Sequence, residues 1–254
     1  MAKTHTPQAK YGNWISKRII YIFTILTLTF VILTIIFWQF AFAAALCSIP
    51  VAYFAYARYL FSPHGKNVQH QVWDTAVSNL VWDGNGKALD IGCGNGALTI
   101  KVAKAYPKAQ VTGIDFWGSK WEYSQIQCEQ NAQIEGVSGR VAFQKGSASH
   151  LPFEDGYFDA AVSNLCFHEV SDTKNKRELI REALRVVKKG GSFSFQDLFL
   201  FKQVYGDIDE LLTEIRSWGI NRVELVVTKD SDFIPAALKL PFMLGKIAII
   251  SGEK

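Results

Sequence analysis

The chain has 254 residues, of which 49% are hydrophobic and 20% charged, with a net charge of +4. The charge is unevenly spread, because residues 1–66 carry six Lys and Arg and no Asp or Glu. The remainder has 21 basic and 23 acidic residues, a net charge of −2, which excludes the broad basic surface typical of nucleic-acid-binding proteins. Four scattered cysteines without a CxxC pair argue against a disulfide scaffold and against a zinc site, so we expect no metal.

The first predicted elements are two apolar helices. Residues 19–57 contain no charge, and this length is about twice the ~20 residues needed for one membrane crossing. Trp38 and Gln39 interrupt the run, so we predict helices over about 19–37 and 40–59, joined by a very short turn. Residues 1–66 would then form an N-terminal membrane anchor. The basic residues that flank it predict cytoplasmic ends, and hence a cytoplasmic body.

Other interpretations of this segment remain open. The hairpin could span the membrane or re-enter it on the same side. One helix could span while the second lies at the interface, or the arm could serve oligomerisation outside a membrane. A signal peptide is excluded because its apolar core is only 7–15 residues long.

The body, residues 67–254, begins with an amphipathic helix over 68–81 and then alternates between strands and helices. This alternation predicts a doubly wound α/β fold: a mostly parallel, Rossmann-like sheet with an antiparallel edge strand, preceded by the helical hairpin. The predicted strands are 87–91, 110–115, 141–144, 158–163, 192–196, 223–228 and 247–251. The predicted helices are 96–105, 120–133, 174–188 and 208–218.

The strongest motif follows the first strand, in the segment Leu-Asp-Ile-Gly-Cys-Gly-Asn-Gly over 89–96. Glycines at 92, 94 and 96 allow a tight turn and the close approach of a ligand. Their G-x-G-x-G spacing differs from the G-x-G-x-x-G of dinucleotide sites, which disfavours a nicotinamide oxidoreductase. Asp90, directly before the turn, suits a ligand with an ammonium group better than one with a phosphate.

A second acid, Asp115, ends the next predicted strand, 25 residues after Asp90. A carboxylate at this position can accept hydrogen bonds from both hydroxyls of a ribose. An acid at a strand end is weak evidence alone, because it can also cap a helix. Together with the upstream glycine turn, it predicts a nucleoside-containing ligand.

These residues resemble the class I S-adenosylmethionine-dependent methyltransferases, over nearly all of 68–254. The resemblance extends to Gly-Ser-Ala at 146–148, Leu-Pro-Phe at 151–153, Gly-Tyr-Phe-Asp at 156–159 and Val-Lys-Lys-Gly-Gly at 187–191. It is closest to the branch that methylates small and lipid-soluble compounds such as quinones and sterols. It therefore implies a methyltransferase domain over 67–254, with S-adenosyl-L-methionine as the cofactor.

The resemblance also assigns residues to the cofactor. It implies that the glycine turn wraps the methionine moiety, that Asp115 binds the ribose, and that the loop after the third strand borders the adenine. Ser147 replaces the Asp that is usual in that loop. Phe116 and Trp117 either cover the adenine or make a hydrophobic contact at a helix start. The predicted cofactor-binding residues are Asp90, Gly92, Cys93, Gly94, Gly96, Asp115, Phe116, Ser147, Ala148 and Asn164.

The segment after the fourth strand, 163–169, lies between cofactor and acceptor in the resembled family. Its Asn-Leu-Cys-Phe sequence matches neither the tetrad of amino-directed nucleic-acid methyltransferases nor the Pro-Cys of cytosine C5 enzymes, so we expect no nucleic-acid acceptor. His168 is a candidate catalytic base, or else a residue that packs the end of the site. Glu169 could orient it.

The sequence therefore predicts methyl transfer to a small, lipid-like acceptor at the membrane surface: a quinone, phenol, lipid amine or thiol. The alternative is a membrane-anchored scaffold or regulatory protein that binds S-adenosylmethionine without transferring methyl groups. Five apolar residues after the fourth and fifth strands are expected to face the acceptor entrance. They are Phe167, Leu198, Phe199, Phe201 and Tyr205. The alternative is that Phe199 and Phe201 only pack in the core.

Overall fold

The computed structural model describes residues 7–118 and 122–254. The chain forms two compact units, one comprising Asn13–Gln71 and the other comprising Val72–Lys254 together with the N-terminal residues as far as Gly12. Residues 7–12 group with the α/β unit rather than with the hairpin.

The smaller unit is a helical hairpin. Its helices are α1 (Lys17–Leu33) and α2 (Phe40–Phe61), and α1 ends four residues before the predicted end. They are antiparallel, because the ring of Phe23 stacks on Phe54 while Phe30 stacks on Phe40 near the turn, at centroid distances of 6.2 and 5.9 Å. Within the described residues, α2 alone is long and apolar enough to cross a membrane by length and composition.

The open end of the hairpin is tied together by polar contacts. The Arg58 guanidinium donates to the carbonyl of Ile15, and the Asn13 amide donates to the carbonyl of Arg58 at 3.0 Å. The Ser16 hydroxyl caps α1 by accepting from the backbone N–H of Arg18. The basic residues Lys17, Arg18 and Arg58 consequently lie at the same end of the hairpin.

Outward-facing side chains of the hairpin are mostly large and apolar. Ile35 and Trp38, for example, are 85% and 77% exposed. Contiguous apolar surface of this kind is typical of membrane or protein interaction sites. The large exposed apolar residues of this unit are Tyr21, Ile22, Ile25, Leu26, Leu28, Val31, Ile32, Ile35, Ile36, Phe37, Trp38, Phe42, Leu46, Ile49, Tyr56 and Tyr59.

Helix α3 (Val68–Ser78) leads into the larger unit, a seven-stranded sheet in the order β3-β2-β1-β4-β5-β7-β6. The strands are β1 (Gly86–Ile91), β2 (Ala109–Asp115), β3 (Val141–Lys145), β4 (Phe158–Asn164), β5 (Val187–Asp197), β6 (Arg222–Val226) and β7 (Ala248–Glu253). The helices are α4 (Ala97–Ala105), α5 (Gln125–Ile134), α6 (Lys176–Arg185), α7 (Lys202–Tyr205) and α8 (Ile208–Ser217).

Strands β1–β5 are parallel, as the alternating pattern predicts. The reversal of strand order at β1 and β4 places the ends of these two strands side by side, which is where open α/β sheets bind ligands. An apolar core packs against these strands, with Leu89, Phe158, Phe193 and Phe195 completely buried.

The sheet edge differs from the prediction. The antiparallel strand is β7, and it lies between β5 and β6 rather than at the edge. The long connection over 227–247 lets the last strand insert, so β6 becomes the edge and runs with the parallel strands.

Two helix bounds also differ. Helix α5 begins at Gln125, capped by Ser124, and the predicted start near Lys120 lies outside the described residues. Helix α6 ends at Arg185 because the chain turns directly into β5.

Candidate functional site

The glycine turn connects β1 to α4 in the predicted way. Gly92, Gly94 and Gly96 all have positive φ, at +76°, +57° and +80°. At Gly92 an added Cβ would lie 2.3 Å from the Sγ of Cys166, far inside van der Waals contact. The turn therefore touches the segment that follows β4, and only glycine fits this close approach. Cys93 is buried beneath the turn.

Asp115 is held against the glycine turn. Its Oδ2 accepts from the backbone N–H of Gly94 and its Oδ1 from that of Trp117, both at 2.8 Å. The Trp117 indole N–H donates to the Gly94 carbonyl at 2.8 Å and adds a second link. Each carboxylate oxygen retains a further lone pair, so Asp115 can still accept from ligand hydroxyls. Burial raises the pKa of Asp115, and the backbone donors oppose this effect.

Asp90 lies below the turn and is only 1% exposed. Its Oδ2 accepts from the Thr99 hydroxyl on α4 at 2.6 Å, whereas its Oδ1 is buried without a hydrogen-bond partner. Burial raises the pKa of Asp90 to about 7. A buried carboxylate oxygen without a donor favours a nearby positive charge.

Several carboxylates converge around Cys166. Burial is the main reason that the pKa of this thiol is raised, and the negative charges of Asp115, Asp197, Asp90 and Glu169 raise it further. These acids come from β2, β5, β1 and the 3-10 turn Phe167–Glu169. The ends of the central strands thus form an acidic region, which suits a cationic ligand.

The loop after β3 carries Ser147 and Ala148. Ala148 is buried, and the Ser147 hydroxyl donates to Oδ2 of Asp172 at 2.8 Å. Ser149 donates to the same oxygen at 2.6 Å, and both hydrogen bonds contribute to a lowered pKa of Asp172. A carboxylate is therefore present beside Ser147, although it comes from another loop.

Phe116 is 64% exposed, directly after Asp115. The Lys145 ammonium lies 5.3 Å from its ring centroid. Since α5 begins nine residues later, Phe116 is not a contact at a helix start, and its exposed ring leaves the predicted role at the adenine available.

The segment after β4 is rigidly placed. Leu165 has a φ of +51°, which is strained for a leucine, and its backbone N–H donates to the Gln196 carbonyl at 2.8 Å. The preceding Asn164 has a buried side-chain oxygen without a partner. Strain and an orphaned polar atom together are typical of ligand sites.

His168 follows this strained residue and contacts two carboxylates. Its Nδ1 is 2.6 Å from Oδ1 of Asp197, and its Nε2 is 3.5 Å from Oε1 of Glu169. Burial disfavours the charged imidazole, but the two acids outweigh it and raise the pKa of His168 to about 10. Among the described residues, no group of three or more His, Cys, Asp and Glu side chains is arranged to hold a metal ion.

The five apolar residues predicted for the acceptor entrance divide into two groups. Phe167, Phe199 and Tyr205 belong to the core and are at most 1% exposed, so their prediction as entrance residues is wrong. They were misplaced because apolar residues after strand ends have the same pattern in a core and in a pocket. Leu198 and Phe201 are partly exposed.

Three residues of the site were not predicted. Asp197 ends β5 as Asp115 ends β2, so an acid directly after an apolar strand was an available signal. Tyr123 lies against the turn, 3.4 Å from the Cβ position of Gly94, and burial together with Asp115 and Glu169 raises its pKa to about 12. Nothing in the local sequence distinguishes Tyr123 or Asp172, because their positions depend on long-range contacts.

Comparison with known proteins agrees with this geometry. Residues 89–195 match the family described as "Methyltransferase domain". The α/β unit is therefore similar to methyltransferase domains from β1 into β5. The match covers the glycine turn, Asp115 and His168, and it ends within β5.

Two curated methyltransferases are similar to part of this chain. Norajmaline N-methyltransferase of Rauvolfia serpentina is 37% identical over 103 residues, covering 40% of this chain and 32% of that protein. Demethylmenaquinone methyltransferase of Staphylococcus aureus (strain JH9) is 36% identical over 144 residues, covering 54% of this chain and 56% of that protein. The chain thus matches about a third and just over half of their lengths.

The solved structure of a geranyl diphosphate methyltransferase in complex with SAM has the same fold. It is 14% identical to this chain, with a TM-score of 0.56, and the match covers 78% of this chain and 89% of that structure. At this identity the likeness concerns the fold alone.

Proposed function

We propose that this protein is a membrane-anchored methyltransferase that transfers the methyl group of S-adenosylmethionine to a small, lipid-soluble acceptor. The observation that carries the proposal is the contact between the glycine turn and the acid at the end of β2. Gly94 donates to Asp115 at 2.8 Å, and Gly92 leaves no room for a side chain beside Cys166.

The residues at the strand ends fit the chemistry of this donor. S-adenosylmethionine carries a sulfonium and an ammonium, and the acidic region formed by Asp90, Asp115, Glu169 and Asp197 is complementary to both charges. Asp115 would hold the ribose. Exposed Phe116 and the Ser147–Asp172 pair would border the adenine. The Asp172 carboxylate would then replace the acid that the loop after β3 lacks.

Bound here, the donor supplies an already activated methyl group. The protein then has to align the acceptor, hold it close and exclude water. The glycine turn, the indole of Trp117 and the strained segment around Leu165 form fixed walls for this purpose. A strong base is not required if the acceptor is already nucleophilic.

Membrane attachment is the second part of the proposal. The hairpin Asn13–Gln71 exposes large apolar side chains and contains no acidic residue, and its basic residues Lys17, Arg18 and Arg58 lie at one end. This arrangement supports an embedded hairpin with both ends, and the methyltransferase domain, on the cytoplasmic side. A relative named for demethylmenaquinone and another named for norajmaline support a small organic acceptor.

Two measurements test the proposal on the full chain. Membranes containing the protein are incubated with methyl-labelled S-adenosylmethionine, and the label is expected in the lipid-soluble fraction. The variant Asp115→Ala serves as the control and should abolish most of the label. Donor binding without transfer to any membrane component would support the scaffold alternative, and release of the protein by a carbonate wash would contradict the embedded hairpin.

A further inference from the structure

The surroundings of His168 define its charge. Asp197 is completely buried, and besides His168 it accepts from the backbone N–H groups of Phe167 at 2.9 Å and Leu198 at 2.6 Å. Three donors stabilise the ionised carboxylate, and a buried carboxylate needs a neighbouring positive charge. The imidazolium of His168 supplies this charge at an Nδ1–Oδ1 distance of 2.6 Å.

Titratable groups from several elements face this pair, and most are acidic or neutral. Glu169 lies beside Nε2 at 3.5 Å. Tyr123 before α5 interacts with Glu169, Tyr205 of α7 interacts with Asp197, and Cys166 after β4 interacts with both carboxylates. Because Asp197 and Glu169 outweigh the cost of burial and raise the pKa of His168 to about 10, the imidazole is protonated at neutral pH.

The two ring nitrogens of His168 differ in accessibility. Nδ1 faces Asp197, whose side chain has no exposed surface. Nε2 faces Glu169, whose side chain is 31% exposed, and the Nε2–Oε1 distance is 3.5 Å. The Nε2 side is therefore the one at which another anion can replace a carboxylate. A protonated Nε2 donates a hydrogen bond and cannot accept a proton.

We propose that His168 is a cationic hydrogen-bond donor to the acceptor, and that the acceptor binds as the oxyanion of a phenol, quinol or enol. This inference rests on the proposed methyl transfer and specifies its substrate class. Asp197 acts as a positioning residue, since it fixes the ring and keeps it charged. The role differs from that of the general base predicted from the sequence.

The charge of His168 selects among the acceptor classes. An amine must attack as a neutral group and becomes cationic, which an adjacent imidazolium opposes, and a protonated His168 cannot take its proton. Sulfur is a weak hydrogen-bond acceptor, so a thiolate gains less from Nε2–H. An oxyanion gains a charge-assisted hydrogen bond, which is among the stronger kinds in proteins.

The transfer step then needs no proton acceptor. The acceptor loses its hydroxyl proton to solvent when it binds as the anion. An electron pair of its oxygen forms the new O–CH3 bond while the C–S bond of the donor breaks. The electron pair of the C–S bond stays on sulfur, which becomes a neutral thioether. His168 keeps both ring protons throughout.

The first test measures the charge of His168 directly. In the full chain in detergent micelles, ring NMR signals are followed against pH and assigned with His168→Gln. We expect the His168 signal to remain that of the imidazolium through pH 8. In Asp197→Asn it should titrate at a lower pH, near the ordinary histidine value of about 6.5. A wild-type ring that is neutral at pH 7 would overturn the proposal.

The second test measures the class of ligand. 4-Nitrophenol, whose anion absorbs near 400 nm, is compared with 4-nitroanisole, its methyl ether, in the presence of S-adenosylhomocysteine. We expect binding of the phenolate to be roughly ten-fold tighter or more, and this preference to disappear in His168→Gln. Equal binding of the two probes, or no phenolate binding while S-adenosylhomocysteine still binds, would contradict it.

The two proposals fail in different ways. If the wild-type chain binds no S-adenosylhomocysteine, the proposed methyl transfer itself is wrong. If the chain binds S-adenosylhomocysteine and transfers the labelled methyl group to a membrane amine, the proposed methyl transfer is correct and the proposed class of acceptor, an oxyanion, is wrong. A rate that rises with pH in parallel with the loss of the imidazolium signal would restore His168 as a base.

Discussion

The close approach of Gly92 to Cys166 has a cost that can be measured against a matched glycine. Gly92 and Gly190 have the same φ of +76°. An added Cβ at Gly92 would lie 2.3 and 2.4 Å from the Sγ and Cβ of Cys166, whereas Gly190 has nothing within 4 Å. Replacement by Ala therefore imposes backbone strain at both positions and a steric clash only at Gly92.

The strain of a left-handed conformation costs about 1–2 kcal/mol, and overpacking a buried contact adds about 1–3 kcal/mol. We expect Gly190→Ala to lower the free energy of unfolding by the strain cost alone, and Gly92→Ala to lower it by the strain and overpacking costs together. For a domain of this size, each kcal/mol lowers the Tm by roughly 2–4 °C. Thermal unfolding of the full chain in detergent provides the comparison.

Gly92→Ala should also weaken the binding of S-adenosylhomocysteine, because the clash displaces the turn that carries Gly94 and its hydrogen bond to Asp115. Gly190→Ala should leave binding unchanged. Equal Tm values for the two variants would show that the turn and the segment after β4 are not in contact, and would refute the reasoning.

Three further predictions concern polar groups. Asp115→Ala should weaken donor binding by about 1–3 kcal/mol in calorimetry, the scale of a buried hydrogen-bonding group, whereas exposed Asp83→Ala should not. The pKa of Asp90 is raised from 3.8 to about 7, so between these two pH values the folded state binds more protons than the unfolded state. Stability should therefore fall with rising pH by up to about 1.4 kcal/mol per unit in this range, and Asp90→Asn should remove that slope in urea titrations at several pH values. Asn131 accepts from the backbone N–H of Lys10 at 2.7 Å and donates to the carbonyls of Lys10 and Asn95 at 3.0 and 2.9 Å. Asn131→Ala should thus accelerate tryptic cleavage after Lys10, and unchanged cleavage would show that residues 7–12 are held in another way.

The parallel part of the fold could be predicted because its signals are local. Each of the strands β1–β4 is a short apolar run, and the three-glycine turn fixes where β1 ends and α4 begins. The position of β7 could not be predicted, because strand order at a sheet edge depends on packing between distant segments. The same holds for α6, whose predicted end included residues that pair in β5.

The candidate site also combines features that a local pattern indicates with features that depend on distant residues. The glycine turn and Asp115 are recognisable because their chemistry depends on short spacing, and the structure brings them into hydrogen-bond contact. Asp197, which contacts His168, and Asp172, which contacts Ser147, lie 29 and 25 positions away from them, so no local pattern indicates these two partners. Sequence reasoning identified His168 but not its charge, since the charge is determined by Asp197.

Carboxylates at the strand ends connect these findings. Asp90, Asp115, Asp197 and Glu169 all lie close enough to Cys166 to raise its pKa, and His168 neutralises only part of this charge. The net negative charge that remains is unfavourable without a ligand and becomes favourable when a sulfonium and an ammonium enter. Once the donor is bound, its cationic groups and the imidazolium together can stabilise an anionic acceptor. Electrostatics therefore favours an order in which the cationic donor binds first and the anionic acceptor second.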